Sequence, residues 1–205
     1  MVLYDAMKEC LNAEYTHTEA GTDYAVKVSG DTIYLLFEWS DGAEDWISNF
    51  NFPSTAYKNG GNTWRAHRGF LAAWKDVRDE IEGRVSEILS IYGSRITKIR
   101  CIGYSHGAAL AQLCTEDMVY LYGESLDVEG VGFGCPRVVW GFVPKAVKTR
   151  LKAFKAVRNG RDIVTHVPPL IFGFRHVSKV VKIGQRNAVK DHYPEEYLLH
   201  LEQIK

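Results

Sequence analysis

A serine between two glycines is the first feature of the chain that could do covalent chemistry. Ser105 lies in the segment Gly-Tyr-Ser-His-Gly, between an apolar stretch that ends at Ile102 and another that starts at His106. A strand, a sharp turn and a helix in this order expose a serine as a nucleophile. Glycines are expected on both sides because a Cβ there would clash where strand and helix approach. The segment predicts a nucleophile, and a turn whose serine only caps the helix is the alternative.

The helix predicted to begin at His106 would supply part of an oxyanion hole. The first amides of a helix have no intrahelical acceptor, and the helix dipole places positive charge at the same end. We therefore expect the amide of His106 to stabilise a negative oxygen formed beside Ser105.

A serine nucleophile also needs a base, and the base needs an acid that orients it. Along hydrolase chains with this kind of turn the order is serine, acid, histidine. Asp162 follows the predicted strand Phe-Lys-Ala-Val-Arg-Asn, at the strand end where sites in open parallel sheets gather. We predict it as the acid, with a turn-stabilising aspartate after Asn159 and Gly160 as the alternative. Asp127 precedes its strand and would lie at the wrong end of the sheet.

Three histidines follow the predicted acid: His166, His176 and His192. His166 shares the loop of Asp162 and His176 enters a predicted strand, so structural or pocket-lining roles fit both better. His192 lies in a loop just before the last predicted helix and can reach over the sheet edge. We predict His192 as the general base, and a surface histidine is the alternative.

Alternating strands and helices are predicted to position these residues. Apolar residues at every third or fourth position indicate an N-terminal helix and a long helix over residues 69–92. Two strands joined at Gly30 and Asp31 lie between them, followed by a loop-rich stretch over residues 40–64. The later predicted strands are residues 96–103, 128–134, 154–159 and 177–183, and the later helices are residues 107–123 and 139–151. The pattern predicts the α/β class, with a mostly parallel sheet flanked by helices and one domain over residues 1–205.

Composition excludes several other classes of protein. The chain has 205 residues and no formal net charge, which argues against a nucleic-acid-binding arm. No apolar run approaches the roughly 20 residues that span a bilayer. Acidic residues stand where a signal peptide has its apolar core, so the chain as given is expected to be cytoplasmic, or secreted if a leader was removed. Four widely spaced cysteines are expected to be reduced, structural thiols: Cys10, Cys101, Cys114 and Cys135.

Six segments together resemble the fungal-type triacylglycerol lipase family (lipase class three) over nearly the whole chain. They are "LLFEWSDGAEDW", "AHRGFLAAW", "GYSHGAALA", "GFGCPRV", "NGRDIVTHVPP" and "DHYPEEYL". The resemblance implies an α/β-hydrolase with Ser105 as nucleophile, Asp162 as acid and His192 as base. It also implies that Ser40 supplies the second oxyanion amide. Glu38 and Trp39 replace the usual Arg-Gly of the first segment, and His106 replaces the commoner leucine.

The implied activity is hydrolysis of acylglycerols or similar acyl esters, without a metal or cofactor. A phospholipase, thioesterase or peptidase of the same fold and a non-catalytic module are the alternatives. Residues 40–53 resemble the family's lid, with Trp46, Ile47, Phe50 and Phe52 at roughly helical spacing. An amphipathic lid would contact a lipid surface transiently, whereas the alternative is a short helix packed permanently on the core. Basic residues without an acid over residues 145–161 indicate either a solvated face or a site for anionic lipid.

Overall fold

The computed structural model describes residues 1–19, 21–38, 53–185 and 191–204. Its α-helices are α1 (Leu3–Leu11), α2 (Arg68–Tyr92), α3 (His106–Tyr122), α4 (Lys145–Arg150) and α5 (Pro194–Glu202). Its strands are β1 (Tyr24–Ser29), β2 (Thr32–Phe37), β3 (Ser54–Asn59), β4 (Asn62–His67), β5 (Lys98–Tyr104), β6 (Asp127–Phe133), β7 (Val139–Trp140), β8 (Phe154–Asn159), β9 (Phe174–Arg175) and β10 (Lys179–Ile183).

The central sheet has the strand order β1-β2-β5-β6-β8-β10. Strand β1 runs antiparallel to β2, and the remaining neighbours are parallel. The α/β class and the mostly parallel sheet predicted from the sequence are therefore confirmed. Because parallel strands end at the same edge, the segments that follow β5, β6 and β8 meet there.

Two apolar layers cover the two faces of this sheet. Along β2 the side chains alternate, so Leu35 and Phe37 pack with the helices α2 and α3, whereas Leu36 packs with α1 and α5. Helix α3 is buried over most of its length, including the polar residues Glu116 and Asp117, which fits its place between the sheet and α2. This burial fixes the position of the helix that begins beside Ser105.

Two sequence predictions were wrong in part. Residues 54–59 and 62–64, predicted as loop, belong to the hairpin β3–β4, which turns at Gly60 and Gly61 with φ of 53° and 70°. Residues 139–151, predicted as one helix, contain strand β7, a left-handed Gly141 and the helix α4 that starts after Pro144. Strands β3, β4, β7 and β9 form a second, antiparallel sheet.

The four cysteines are buried and free, as predicted. The closest thiol pair is Cys114 and Cys101, with 3.6 Å between the sulfur atoms. Within the described ranges, no helix combines the length and the apolar character that crossing a membrane requires.

Candidate active site

Ser105 occupies a strained turn between β5 and α3. Its φ of 54° and ψ of −118° make it the one non-glycine residue with positive φ in the described part of the chain. A Cβ on Gly103 would lie 2.1 Å from the carbonyl oxygen of Gly107, and a Cβ on Gly107 would lie 2.3 Å from that of Phe37. Both glycines are therefore required by main-chain contacts, as the sequence predicted. The turn holds the serine side chain at the edge where the parallel strands end.

Ser105, His192 and Asp162 form one hydrogen-bonded row. Nε2 of His192 lies 3.0 Å from Oγ of Ser105, and Nδ1 lies 2.8 Å from Oδ2 of Asp162. A proton on Nδ1 makes that nitrogen the donor to the carboxylate and leaves Nε2 free to accept from the serine hydroxyl. The row thus has the geometry for proton transfer from Ser105 to the imidazole.

The carboxylate of Asp162 is buried, with a hydrogen bond on each oxygen. Oδ1 accepts from the amide of Val164 at 2.9 Å, in the short helical turn Ile163–His166. Oδ2 accepts from the hydroxyl of Tyr197 at 2.6 Å as well as facing His192. Burial and the nearby Asp162 raise the pKa of Tyr197 well above its usual value, so the phenol stays protonated as a donor. Sequence reasoning assigned no role to Tyr197, which stands five residues after His192 in α5.

Asp191 ties the loop of the acid to the loop of the histidine. Its Oδ2 accepts from the amide of Arg161 at 2.6 Å, next to Asp162. Its main-chain carbonyl accepts from the side-chain amide of Asn159 at 3.0 Å. Both Asp191 and Asn159 are buried, so these bonds are shielded from water. The pair connects the end of β8 to the residue that precedes His192.

Tyr104 and Gly134 contact the imidazole of His192 from two further directions. The ring of Tyr104 stacks on the imidazole, with 5.2 Å between centroids and 20° between planes, and its hydroxyl donates to the carbonyl of His192. Gly134, in the left-handed region with φ of 61°, directly follows β6. A Cβ there would lie 2.8 Å from Cε1 of His192 and 3.0 Å from Oδ2 of Asp162. Neither residue could be linked to the histidine from the sequence, because both contacts join distant segments.

The chain is similar in sequence and structure to known proteins. Residues 34–172 match the family described as Lipase (class 3). The chain belongs to the class 3 lipase family. The resemblance recognised from the sequence is thereby confirmed.

Two relatives in this family are lipases from fungi. The lipase of Rhizomucor miehei is 33% identical over 171 residues, which is 82% of this chain and 44% of that protein. The secreted mono- and diacylglycerol lipase 1 of Fusarium solani is 29% identical, over 80% of this chain and 47% of that protein. The chain thus spans less than half the length of these relatives. The solved triacylglyceride lipase of Rhizomucor miehei superposes with a TM-score of 0.72 at 24% identity, over 89% of this chain and 78% of that structure.

The oxyanion and lid residues predicted from the class 3 lipase pattern are described only in part. His106 is the first residue of α3, so its amide belongs to the helix end beside Ser105. Its ring packs on Phe70, with 5.6 Å between centroids, and burial lowers the pKa of His106 to about 4. The imidazole is therefore neutral at neutral pH. Ser40 and the predicted lid residues Trp46, Ile47, Phe50 and Phe52 lie outside the described residues.

The histidines and the aspartate that were not chosen for the row occupy other environments. Nε2 of His166 lies 3.1 Å from the guanidinium of Arg158. Nε2 of His176 lies 2.8 Å from the carbonyl of Thr165, and burial lowers the pKa of His176 to about 4. Asp127 begins β6, at the edge opposite Ser105, and pairs with Arg100.

One group among the described residues has the composition of a cation site. The ligand atoms of His17, Asp23 and Glu38 lie within 4.8 Å of one another, and Nδ1 of His17 is 2.7 Å from the carboxylate of Asp23. The group shares no residue with the row of Ser105, His192 and Asp162.

Proposed function

We propose that the chain hydrolyses carboxylic esters through an acyl-enzyme formed on Ser105. The observation that carries this proposal is the continuous row from Ser105 through His192 to Asp162, with 3.0 Å and 2.8 Å between successive members. Membership of the class 3 lipase family supports the same reaction.

In the first step, Oγ of Ser105 attacks the ester carbonyl while Nε2 of His192 takes the hydroxyl proton. The carboxylate of Asp162 orients the imidazole and stabilises the positive charge that develops on it. The tetrahedral intermediate collapses, and the protonated imidazole gives its proton to the departing alkoxide. Water then repeats the sequence, releasing the fatty acid and restoring Ser105.

The developing oxyanion is stabilised by main-chain amides. We assign the amide of His106 as one donor and, by likeness to the family, the amide of Ser40 as the other. Each such donor typically lowers the barrier by roughly 3 kcal/mol. The side chain at position 106 does not enter this role, since only the amide is needed.

We propose acylglycerols or similar acyl esters as substrates, with a lipid surface as a transient partner. The likeness to a Rhizomucor miehei lipase and to a Fusarium solani mono- and diacylglycerol lipase supports this class. Phospholipids and thioesters are the alternatives, because the same row of residues can cleave them.

The deciding experiment compares Ser105→Ala with the exposed Ser125→Ala as a matched control. Hydrolysis of p-nitrophenyl esters from acetate to palmitate should disappear in Ser105→Ala and remain unchanged in Ser125→Ala. A fluorophosphonate probe should label the parent protein at Ser105. If Ser105→Ala kept activity within tenfold of the parent, the assignment would be wrong, and an unlabelled, inactive parent would indicate a non-catalytic module. Matched ester, thioester and phospholipid substrates rank the alternatives.

A moving lid over residues 40–53 is a separate proposal. It predicts a jump in rate when the substrate concentration passes its solubility limit, because the lid's apolar side chains would then contact an interface. Smooth saturation through that limit contradicts it.

We further propose that residues 1–205 fold as one domain and that the protein acts outside the cell. The strands nearest the two termini, β1 and β10, lie in one sheet, which supports a single unit. A single cooperative unfolding transition tests this. Likeness to a lipase described as secreted supports export, and assay of culture medium against cell extract tests it.

A further inference from the structure

Three large apolar side chains project from two neighbouring segments of the second sheet. Phe142 follows β7 and is 82% exposed, whereas Leu170 and Ile171 precede β9 and are 63% and 87% exposed. We call these three residues the apolar ridge. A cluster of exposed apolar residues in a folded protein marks a surface that contacts something else.

The main chain holds the apolar ridge in place. The amide of Gly141 donates to the carbonyl of Gly173 at 3.0 Å, and the indole of Trp140 donates to the carbonyl of Phe172 at 2.8 Å. Gly173 has a φ of 85°, and a Cβ there would lie 2.8 Å from the indole nitrogen of Trp140. The apolar side chains are thus presented on a fixed scaffold, although folding alone would favour polar residues at such exposed positions.

The apolar ridge lies in a strongly basic part of the chain. Residues 130–190 contain 13 lysines and arginines and a single acid, the buried Asp162, whereas the rest of the chain contains 12 against 24. A surface cavity of about 400 Å³ beside the ridge is lined by Phe142, Lys148 and Arg175, among others. Arg150 and Lys155 in this part of the chain form ion pairs with Glu116 and Glu129. Among the described residues, no carboxylate lies within 4.0 Å of the cationic groups of Lys145, Lys148 or Arg175. The ridge therefore combines apolar side chains with uncompensated positive charge.

We propose that the apolar ridge and its cations dock the protein on an anionic lipid bilayer. Phe142, Leu170 and Ile171 would enter the boundary between headgroups and acyl chains, while Lys145, Lys148 and Arg175 face the phosphates. Apolar insertion and attraction of each cation to anionic lipid act together in this kind of binding. The excess of cations over acids favours a negatively charged surface over a neutral one.

A chain of ring contacts connects this surface to the proposed nucleophile. Phe174, next to the ridge segment, packs on His67 with 5.7 Å between centroids. His67 packs on Phe70 at 4.4 Å, and Phe70 packs on His106 at 5.6 Å. Docking would therefore bring lipid within a few side chains of Ser105. This benefit rests on the proposed function, whereas the docking itself does not.

The test measures binding to vesicles with the Ser105→Ala protein, which leaves the lipid intact. Phosphatidylcholine vesicles with and without phosphatidylglycerol are separated by flotation. We expect binding only when phosphatidylglycerol is present, and weaker binding at high salt. The double change Phe142→Ser with Ile171→Ser should reduce the partition constant about tenfold. Lys145→Gln and Lys148→Gln should each reduce it about fivefold.

Matched controls are Ile91→Ser, at an apolar residue 62% exposed on α2, and Lys75→Gln on the same helix; both should bind like the parent. Circular dichroism checks that every variant is folded. Unchanged binding of the double serine variant would overturn the proposal, and so would binding that ignores phosphatidylglycerol. A dimer seen by light scattering and abolished by the same double change would also overturn it, because a second copy would then cover the ridge.

Soluble esters separate this proposal from the proposed function. With Ser105 present, the double serine variant should hydrolyse p-nitrophenyl butyrate at the parent rate. Vesicle binding without any ester hydrolysis by the parent would support the docking surface and contradict the proposed hydrolase activity. Ester hydrolysis without vesicle binding would do the reverse.

Discussion

The hydroxyl of Tyr197 donates to Oδ2 of Asp162 at 2.6 Å, the same carboxylate oxygen that faces the imidazole. The phenol is fully buried and also accepts from the amide of Asn159 at 3.1 Å. A side chain from the last helix thus fixes the direction in which the proposed acid points.

Tyr197→Phe removes this donor and leaves two buried groups short of a partner. A hydrogen bond to a charged group contributes about 1.5–3 kcal/mol, so we expect kcat on a soluble ester to fall at least about tenfold. KM should stay unchanged, because the phenol does not reach the substrate. The exposed Tyr193→Phe is the matched control and should retain full activity. A loss confined to KM would contradict this role.

We expect Asp191 to support catalysis through its hydrogen bond with the amide of Arg161 and not through contact with the substrate. Asp191→Ala removes the acceptor of the Arg161 amide and leaves only the main-chain carbonyl of Asp191, bonded to Asn159, to join the two loops. We therefore expect kcat to fall at least about tenfold. Asp191→Asn keeps an acceptor oxygen and should recover most of the activity. The neighbouring exposed Glu195→Ala serves as control. Equal losses in the alanine and asparagine variants would show that charge, not the hydrogen bond, is what matters.

Gly134→Ala should damage activity more than stability. The new methyl would contact both His192 and Asp162, whereas Gly141, with a similar φ of 64°, has open space around its Cβ position. Alanine in the left-handed region destabilises by about 1 kcal/mol at either site. Only Gly134→Ala should lower kcat strongly, by about a hundredfold if the imidazole moves by the width of the contact. Equal activity of the two variants would contradict the predicted contact between a methyl group at position 134 and the imidazole of His192.

His106→Leu should change the acid stability and leave the reaction in place. Burial lowers the pKa of His106 to about 4, from 6.5 in a solvated chain. The neutral ring therefore contributes stability above pH 6.5, which is lost as the pH falls through about 4. In His106→Leu this loss, at most about 3 kcal/mol, should be absent in urea unfolding at pH 7 and pH 4. Activity at neutral pH should stay within a few fold, because the amide remains.

The exposed His17 is the matched control for the sign of this effect. The hydrogen bond that the His17 ring donates to the carboxylate of Asp23 raises the pKa of His17, so the contribution of His17 is present at low pH and is lost as the pH rises through the raised value. His17→Gln should thus alter the stability curve in the direction opposite to His106→Leu. Parallel curves for the parent and His106→Leu would refute the burial argument.

Local sequence signals predicted the elements that carry the site. The long helix α2 has an apolar face with Trp74, Val77 and Ile81 at helical spacing, and it ends at Gly93 as expected. The two glycines and the apolar stretches around them were enough to predict the turn at Ser105. These features depend on neighbours in the sequence, which is why the pattern was sufficient.

The hairpin β3–β4 escaped prediction because its strands are rich in polar residues. Its large buried side chains, Tyr57 and Trp64, face each other across the hairpin. Asn59, Gly60, Gly61 and Asn62 form a turn in which both central residues have positive φ, a strong hairpin signal that could have been read. The helix predicted over residues 139–151 failed because Val139 and Trp140 pair with β4 and β9, a tertiary contact that overrides local preference.

The support of the site was beyond the reach of the sequence for a different reason. Tyr197 reaches Asp162 across 35 positions, and Asp191 reaches Arg161 across 30. Contacts between residues so far apart in the chain produce no periodic pattern or fixed spacing in the sequence. The order of residue types along the chain was enough to predict the three members of the row. It could not predict the side chains that hold those members in position.

The close approach of Gly107 to the carbonyl of Phe37 has a consequence for how this site diverges. The start of α3 rests on the end of β2 through main-chain atoms, so the location of the His106 amide does not depend on which side chains follow Phe37. Position 38 can thus differ from the family's pattern without displacing the helix, whereas position 107 has no freedom to vary.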